Sequence, residues 1–145
     1  MSRAMLRAPT IEDDTRARLW ASDEELGRLA PVIRANSIYK DYAIKVDGNH
    51  IGYSSIYNLT ADEAEIGIVI GDRDYWGKGY GADVVNQLTA LCFNDLGVKR
   101  VHLRVLSSNT RAIRCYERCG FTRYGVQAFD GNTFLLMEIW RTPYD

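Results

Sequence analysis

The chain is short of cysteine, histidine and proline, has no long apolar run, and carries almost no net charge. Cys92, Cys115 and Cys119, with His50 and His102, are all the thiol and imidazole ligands among its 145 residues. Their spacing matches none of the usual zinc patterns, so no metal is expected. The thiols read as reduced side chains, buried or half-buried. A formal net charge of −1 leaves no global footprint for nucleic acid or an anionic membrane. No apolar run approaches the roughly 20 residues of a membrane-spanning helix. Met1 to Pro9 lacks the apolar stretch of a signal peptide, so the expected location is the cytoplasm.

What is present is an ordinary globular composition, 46% hydrophobic and 26% charged. No repeat, low-complexity run or long linker divides it, so residues 1–145 are expected to form a single domain with one core. Met5 to Ala8 reads as a short strand. Thr10 is a helix cap with Asp13 three residues on, for a helix to Trp20. Ser22 with Glu25 caps a second helix over Asp23 to Ala35, which Pro31 kinks or ends. Tyr39 to Val46 and Ile51 to Asn58 form a hairpin about Asp47-Gly48-Asn49. Glu65 to Ile70 is a strand, Gly79 to Leu96 a helix, and Val101 to Leu106 a strand. Ser108 or Asn109 caps a helix to Arg118, and Phe121 to Phe129 with Thr133 to Trp140 closes the chain as a strand pair. The expected fold is mixed α/β (α+β), a sheet with helices on both faces.

The most informative segment is Tyr75-Trp76-Gly77-Lys78-Gly79-Tyr80-Gly81-Ala82. It leaves a strand and enters a helix. Alternate glycines let the backbone turn sharply and approach a ligand. The first N–H groups of the helix then converge where the dipole favours an anion. Lys78 adds a mobile positive charge, and a pyrophosphate is the natural guest. Gly77 to Ala82 also satisfies the dinucleotide pattern G-x-G-x-x-A. That pattern expects an acidic residue after the next strand, where this chain has Ser107, Ser108 and Asn109. The Gly-Lys-Ser/Thr of a P-loop is missing too.

Alternation in Glu65-Ile66-Gly67-Ile68-Val69-Ile70 places the isoleucines on one face and Glu65, Gly67 and Val69 on the other. A carboxylate there can serve as a general base, directly or through water, or can simply face solvent. Further on, Asn109 and Tyr116 lie two helical turns apart on one face with Ala112 and Ile113. Asn109 either caps the helix or meets an amide-bearing cofactor arm. Tyr116 is either a packed core residue or a phenol able to protonate a leaving thiolate. Arg111 and Arg118, with Arg114, can meet a terminal phosphate or form a solvated face.

Together these residues resemble the GNAT superfamily of N-acetyltransferases. Gly79 and Gly81 take the small positions of its R/Q-x-x-G-x-G/A signature. Asn109-Thr110-Arg111-Ala112 through Tyr116-Glu117-Arg118-Cys119-Gly120-Phe121 is similar to its asparagine-to-"Y-E-K-x-G-F" segment. Tyr75 to Tyr80, with Leu6 to Thr10 and Trp20 to Asp23, is closest to the RimJ/RimL-like branch, which acetylates protein N-termini and small amines. Trp76 departs from the signature's Arg or Gln, as it often does in that branch.

The resemblance implies a mostly antiparallel twisted sheet of about six to seven strands. It implies acetyl-CoA as co-substrate and direct attack by a primary amine in a ternary complex. The amine would belong to a protein N-terminus, a polyamine or another small molecule. Ile68, Val69 and Ile70 would pair with the pantetheine arm, and Trp76, Gly77, Lys78, Gly79, Tyr80, Gly81 and Ala82, with Asn109, Arg111 and Arg118, would hold the rest of the donor. Glu65 matches the glutamate of histone-type relatives and Tyr116 the usual general acid. Trp20, Glu24, Tyr57, Tyr124 and Phe129 are candidates to line the acceptor pocket. The segment before Tyr39 is short, which leaves that pocket open or completed by a second subunit in a homodimer. Competing readings are a non-catalytic acyl-CoA sensor, transfer to a hydroxyl or of a longer acyl chain, and a nucleotide-dependent oxidoreductase.

Overall fold

The computed structural model describes residues 3–22 and 38–142. The helix expected over residues 23–35, with Glu24 and Pro31, lies outside them. The chain order is β1 (Met5–Arg7), α1 (Ile11–Ser22), β2 (Ile38–Val46), β3 (Asn49–Tyr57), β4 (Glu63–Ile70), α2 (Tyr80–Ala90), β5 (Arg100–Leu106), α3 (Thr110–Arg118), β6 (Thr122–Phe129) and β7 (Asn132–Trp140). The strands form one seven-stranded sheet in the order β1-β2-β3-β4-β5-β7-β6. Every neighbouring pair is antiparallel except β4 and β5.

Local chemistry accounts for these elements. Thr10 and Asp13 close a reciprocal cap, the Asp13 N–H donating to Thr10 Oγ1 at 3.1 Å and the Thr10 N–H to Asp13 Oδ2 at 3.0 Å. The two hairpins turn on Asp47-Gly48 and Asp130-Gly131, with positive φ at all four residues, as two-residue turns between twisted strands require. The helix expected over 79–96 starts at Tyr80, and its last turn, Leu91–Asp95, widens to π geometry. There the Leu96 N–H bonds the Leu91 carbonyl, and Cys92 and Phe93 stay buried.

The two faces of the sheet differ. Tyr42, Ile44, Ile56, Ile66, Leu103 and Met137 pack against Val84, Val85 and Leu88 of α2 and Ile113 and Tyr116 of α3. Side chains one residue out of phase, such as Asp41, Ser55, Glu65, His102 and Arg104, point to the opposite face. There α1 crosses β2 and β3, held by Lys45 Nζ donating to Asp13 Oδ1 at 2.7 Å. Burial works to raise the Asp13 pKa, but the bonds from Lys45 and Thr10 and the nearby His50 outweigh it and hold it at about 2.

Candidate active site

The parallel joint between β4 and β5 stops early. Glu63 pairs with Arg100, Ala64 with Val101 and Glu65 with His102, and the ladder goes no further. Both strands continue, β4 to Ile70 and β5 to Leu106. β3 covers the other edge of β4 as far as Ile70. The strands therefore splay, and the main chain of Ile68, Val69 and Ile70 faces a gap with hydrogen-bonding capacity to fill. A cavity of about 430 Å³ opens there and runs to the start of α2.

Ile68, Val69, Ile70, Tyr75, Trp76, Gly77, Gly79, Tyr80, Gly81 and Ala82 line this cavity on one side. Gly79 is the N-cap of α2, at φ +86, and no side chain caps the helix. A side chain at Gly79 would meet no protein atom within 4 Å but would be strained at that φ. The first N–H groups of α2 are thus left for an anion. The Trp76 indole N–H donates to the Ile70 carbonyl at 2.8 Å, which ties the loop to the end of β4. Arg111 lies 3.4 Å from the centroid of the Trp76 ring, and Arg73 5.5 Å. The tryptophan that replaces Arg or Gln thus gathers two guanidinium groups beside the loop. These features fit a pyrophosphate-bearing donor with an extended arm. Lys78 is exposed, its Nζ 5.9 Å from the Tyr75 ring centroid, and is not among the cavity-lining residues.

The other wall comes from β5 and α3: Arg104, Val105, Asn109, Arg111, Ala112, Cys115, Tyr116 and Arg118. Asn109 caps α3, its Oδ1 accepting the Ala112 N–H at 3.3 Å, and lines the cavity as well. Tyr116 is 9% exposed, with its ring 6.1 Å from that of Phe121. Burial, with the neighbouring Cys115 and Cys119, pushes its phenol well above the usual tyrosine range, so it stays protonated. Burial also pushes the Cys115 thiol up to about 11. Arg104 and Cys115 were not anticipated as site residues. The signal for Arg104 was present: Arg100, His102 and Arg104 alternate along β5 as Glu63 and Glu65 do on β4.

Glu65 does not line the cavity. It is buried beneath its mouth, on the last paired rung before the splay. Arg104 Nε donates to its Oε2 at 2.7 Å, Tyr57 Oη to the same oxygen at 3.1 Å, and Asn58 Nδ2 to Oε1 at 2.9 Å. Its carboxylate oxygens are taken by three donors, and Arg104 carries the resulting ion pair to the cavity wall. Tyr57 is fully buried in this network. Trp20 packs its ring on Gly71, where a Cβ would come within 2.0 Å of it, and lies 4.9 Å from the His50 ring. Tyr124 is exposed, with the Arg100 guanidinium 4.8 Å from its ring centroid, and Phe129 is exposed next to the β6–β7 turn. None of Trp20, Tyr57, Tyr124 and Phe129 lines the donor cavity, and Glu24 lies outside the described residues. No group of three or more metal-ligating side chains occurs among the described residues.

A sequence profile of the acetyltransferase (GNAT) domain matches residues 3–122. The chain belongs to the GNAT acetyltransferases. An aminoglycoside N(6')-acetyltransferase type 1 from Klebsiella pneumoniae is 30% identical over 139 residues, spanning 82% of this chain and 69% of that protein. The spermine/spermidine N(1)-acetyltransferase of Bacillus subtilis (strain 168) is 27% identical over 109 residues, 70% of this chain and 71% of that one. The crystal structure of the aminoglycoside acetyltransferase AAC(6')-Ib in complex with coenzyme A superposes with a TM-score of 0.80 at 25% identity, over 95% of both chains. These relatives place this acetyltransferase in the superfamily and not specifically in the RimJ/RimL-like branch. It is an acetyl-CoA-dependent N-acetyltransferase acting on an amine.

Proposed function

We propose that this acetyltransferase acetylates a primary amine of a small acceptor bearing several cationic groups, by direct attack in a ternary complex, with Tyr116 as general acid. The observation that carries the reading is Tyr116 itself, buried on the wall of the β4–β5 splay and held protonated. Acetyl-CoA, when bound, supplies a thioester that the amine attacks and a sulfur that leaves as a thiolate. The main chain of Ile68 to Ile70 offers that donor an extended edge. The loop from Trp76 to Ala82 offers its phosphates the free N–H groups of α2, with Arg111 and Arg118 alongside. Asn109 stands where it can meet the donor's amide arm. Burial keeps the phenol protonated at neutral pH, so it holds a proton to give to the sulfur as the carbon–sulfur bond breaks.

Deprotonation of the attacking amine is the harder step for an alkylammonium of about 10.4 than for an α-amino group near 8. Glu65 is assigned a positioning role, because its oxygens are spent on Arg104, Tyr57 and Asn58. Its charge keeps Arg104 neutralised at the mouth through which a cationic acceptor approaches. Peptide N-termini belong in the acceptor screen, as the RimJ/RimL-like wording of Tyr75 to Tyr80 suggests. The acceptor side is proposed to face the cytoplasm's small-amine pool and to be completed in a homodimer.

The test is acetyl-CoA consumption across polyamines, amino sugars and peptide N-termini, with calorimetry for coenzyme A and NAD. Turnover with polycationic amines and binding of coenzyme A alone is the expected result. Binding of NAD without coenzyme A, or consumption with peptides only, would overturn the reading.

A further inference from the structure

The strands that border the donor cavity enter it at one level. Glu65 and His102 form the last rung of the parallel joint. Carried two residues on, that register sets Gly67 across the splay from Arg104. The lining begins there, with Arg104 and Val105 on β5 and with Ile68, Val69 and Ile70 on β4. The cavity's other end is the start of α2, at Gly79 to Ala82, which follows β4 in the chain. A donor with its phosphates on α2 and its arm along Ile70 to Ile68 therefore carries its acyl group toward the crotch of the splay. Arg104 stands at that end.

Arg104 is fastened in place. Its Nε donates to Glu65 Oε2 at 2.7 Å, a short charge-assisted bond. Glu65 is buried and is held from two other sides by Tyr57 and Asn58. Burial works against the Arg104 charge, but Glu65 outweighs it and strengthens the guanidinium's hold on its proton. Swinging Arg104 aside would strip a buried carboxylate of its charge partner, which is strongly destabilising. The Arg104 side chain is nonetheless 23% exposed, so it presents a surface to the cavity.

This placement bears on the length of the acyl chain. Among the described lining residues, the other strand side chains, Ile68, Val69, Ile70 and Val105, are apolar. Against such a wall each buried methylene strengthens binding about fourfold. At the crotch a lengthening chain meets a fixed guanidinium instead. Extra methylenes would take water from that charge and return no hydrogen bond. Nor does the end wall invite an acyl group with a terminal carboxylate, because Glu65 already matches the charge.

We infer that Arg104, fixed by Glu65, is the end stop of the acyl site and selects acetyl over longer acyl groups. The inference rests on the acetyl-transfer reading for the direction in which the donor lies.

The test measures kcat/KM for acetyl-, butyryl- and succinyl-CoA with one saturating amine. The proteins are the wild type, Arg104→Lys, and a double variant combining Arg104→Ala with Glu65→Gln. The double variant opens the end wall and leaves no lone buried ion, and thermal unfolding checks that it folds. The wild type is expected to prefer acetyl- to butyryl-CoA about a hundredfold, and the double variant to lower that ratio about tenfold. Arg104→Lys keeps a cation against Glu65 and is expected to retain the preference. An unchanged ratio in the folded double variant overturns the end stop. So does a preference lost equally in Arg104→Lys, or a wild type that favours succinyl-CoA. Calorimetry with coenzyme A, acetyl-CoA and butyryl-CoA needs no turnover. Coenzyme A has no acyl group, so its affinity is expected to be the same in all three proteins. If no amine is acetylated yet the double variant alone erases a wild-type preference for binding acetyl- over butyryl-CoA, the transfer reading fails and the end stop stands. If the wild type binds and uses both donors equally, the end stop fails and the transfer reading stands.

Discussion

On the helix-covered face, the donor cavity is bounded by main chain. Ile68 to Ile70 show peptide groups to the splay, and Gly77 to Ala82 wrap the N-terminus of α2. On the other face lie charged side chains: Glu65 with Arg104, of which Arg104 reaches the donor cavity, and farther along the sheet Asp13 with Lys45 and Asp41 with Ser55. The main-chain wall suits a ligand that every member of the family shares, because it asks of the sequence only small residues and a helix start. The side-chain wall suits a ligand that varies, because each carboxylate can be moved or removed without disturbing the peptide ladder. The comparison predicts that substitutions on the first wall abolish the reaction whatever the acceptor, and that those on the second change stability and preference.

Tyr116 is the side chain proposed as the acid beside the first wall. Tyr116→Phe keeps the ring that packs near Phe121 and removes only the proton donor. Turnover is expected to fall by roughly 10²–10⁴ with coenzyme A affinity retained. Undiminished turnover would reduce Tyr116 to packing and leave the wall without an acid. Gly79→Val comes next. Its Cβ meets no protein atom, so the fold is expected to survive with a lower melting temperature. The strained φ would displace the N–H groups of α2, at a cost of about 1–3 kcal/mol, and weaken coenzyme A by roughly a hundredfold. Calorimetry with thermal unfolding separates the two effects. Full affinity in a folded Gly79→Val protein would show that the main-chain wall is not what binds the donor.

How much of this was legible in the sequence follows the same division. Glycines at alternate positions before a helix, an asparagine cap and a tyrosine two turns on are local patterns, and the donor cavity joins Gly79, Asn109 and Tyr116. The hairpin at Asp47-Gly48 was readable for the same reason, since two residues decide its turn. The splay was not readable. It depends on where the β4–β5 ladder stops, and no local signal marks Glu65 and His102 as its last rung. Nor was the role of Arg104, which lies 39 residues from the carboxylate it meets. Trp20, Tyr57, Tyr124 and Phe129 come from segments expected to flank the acetyl site, but a segment's place does not say where its aromatic ring points. Tyr57 and Trp20 pack within the protein, whereas Tyr124 and Phe129 are exposed on β6.

The second wall is tested first through Glu65. Glu65→Gln keeps the size of the side chain but strips Arg104 of its countercharge. Unfolding free energy is expected to fall by about 2–3 kcal/mol, read from denaturant titration. The midpoint of the pH–rate profile is expected to stay in place, because the variant removes a positioning charge and not a proton acceptor. A profile that moves while stability holds would make Glu65 the general base and end the positioning assignment.

Asp13 gives an effect of similar size, and the one with a definite pH signature. Its pKa, held at about 2 against an ordinary value near 3.9, means that the unfolded chain takes up the proton first as pH falls. The stabilisation is therefore present in full above about pH 5 and is lost towards pH 2. It amounts to about 2–3 kcal/mol, and Asp13→Asn removes it at neutral pH. His50 and His102 act in the same direction at a higher pH. Burial lowers both pKa values, so the unfolded state protonates first and stability declines as pH falls through about 6.5. Melting temperature against pH should thus show two descending steps in the wild type. In Asp13→Asn the lower step should shrink, whereas the upper step should persist and deepen, because the Asp13 charge no longer favours protonated His50. A lower step undiminished in that variant would mean that the acid lability belongs to other carboxylates, and that α1 is not fastened to the side-chain wall through Asp13.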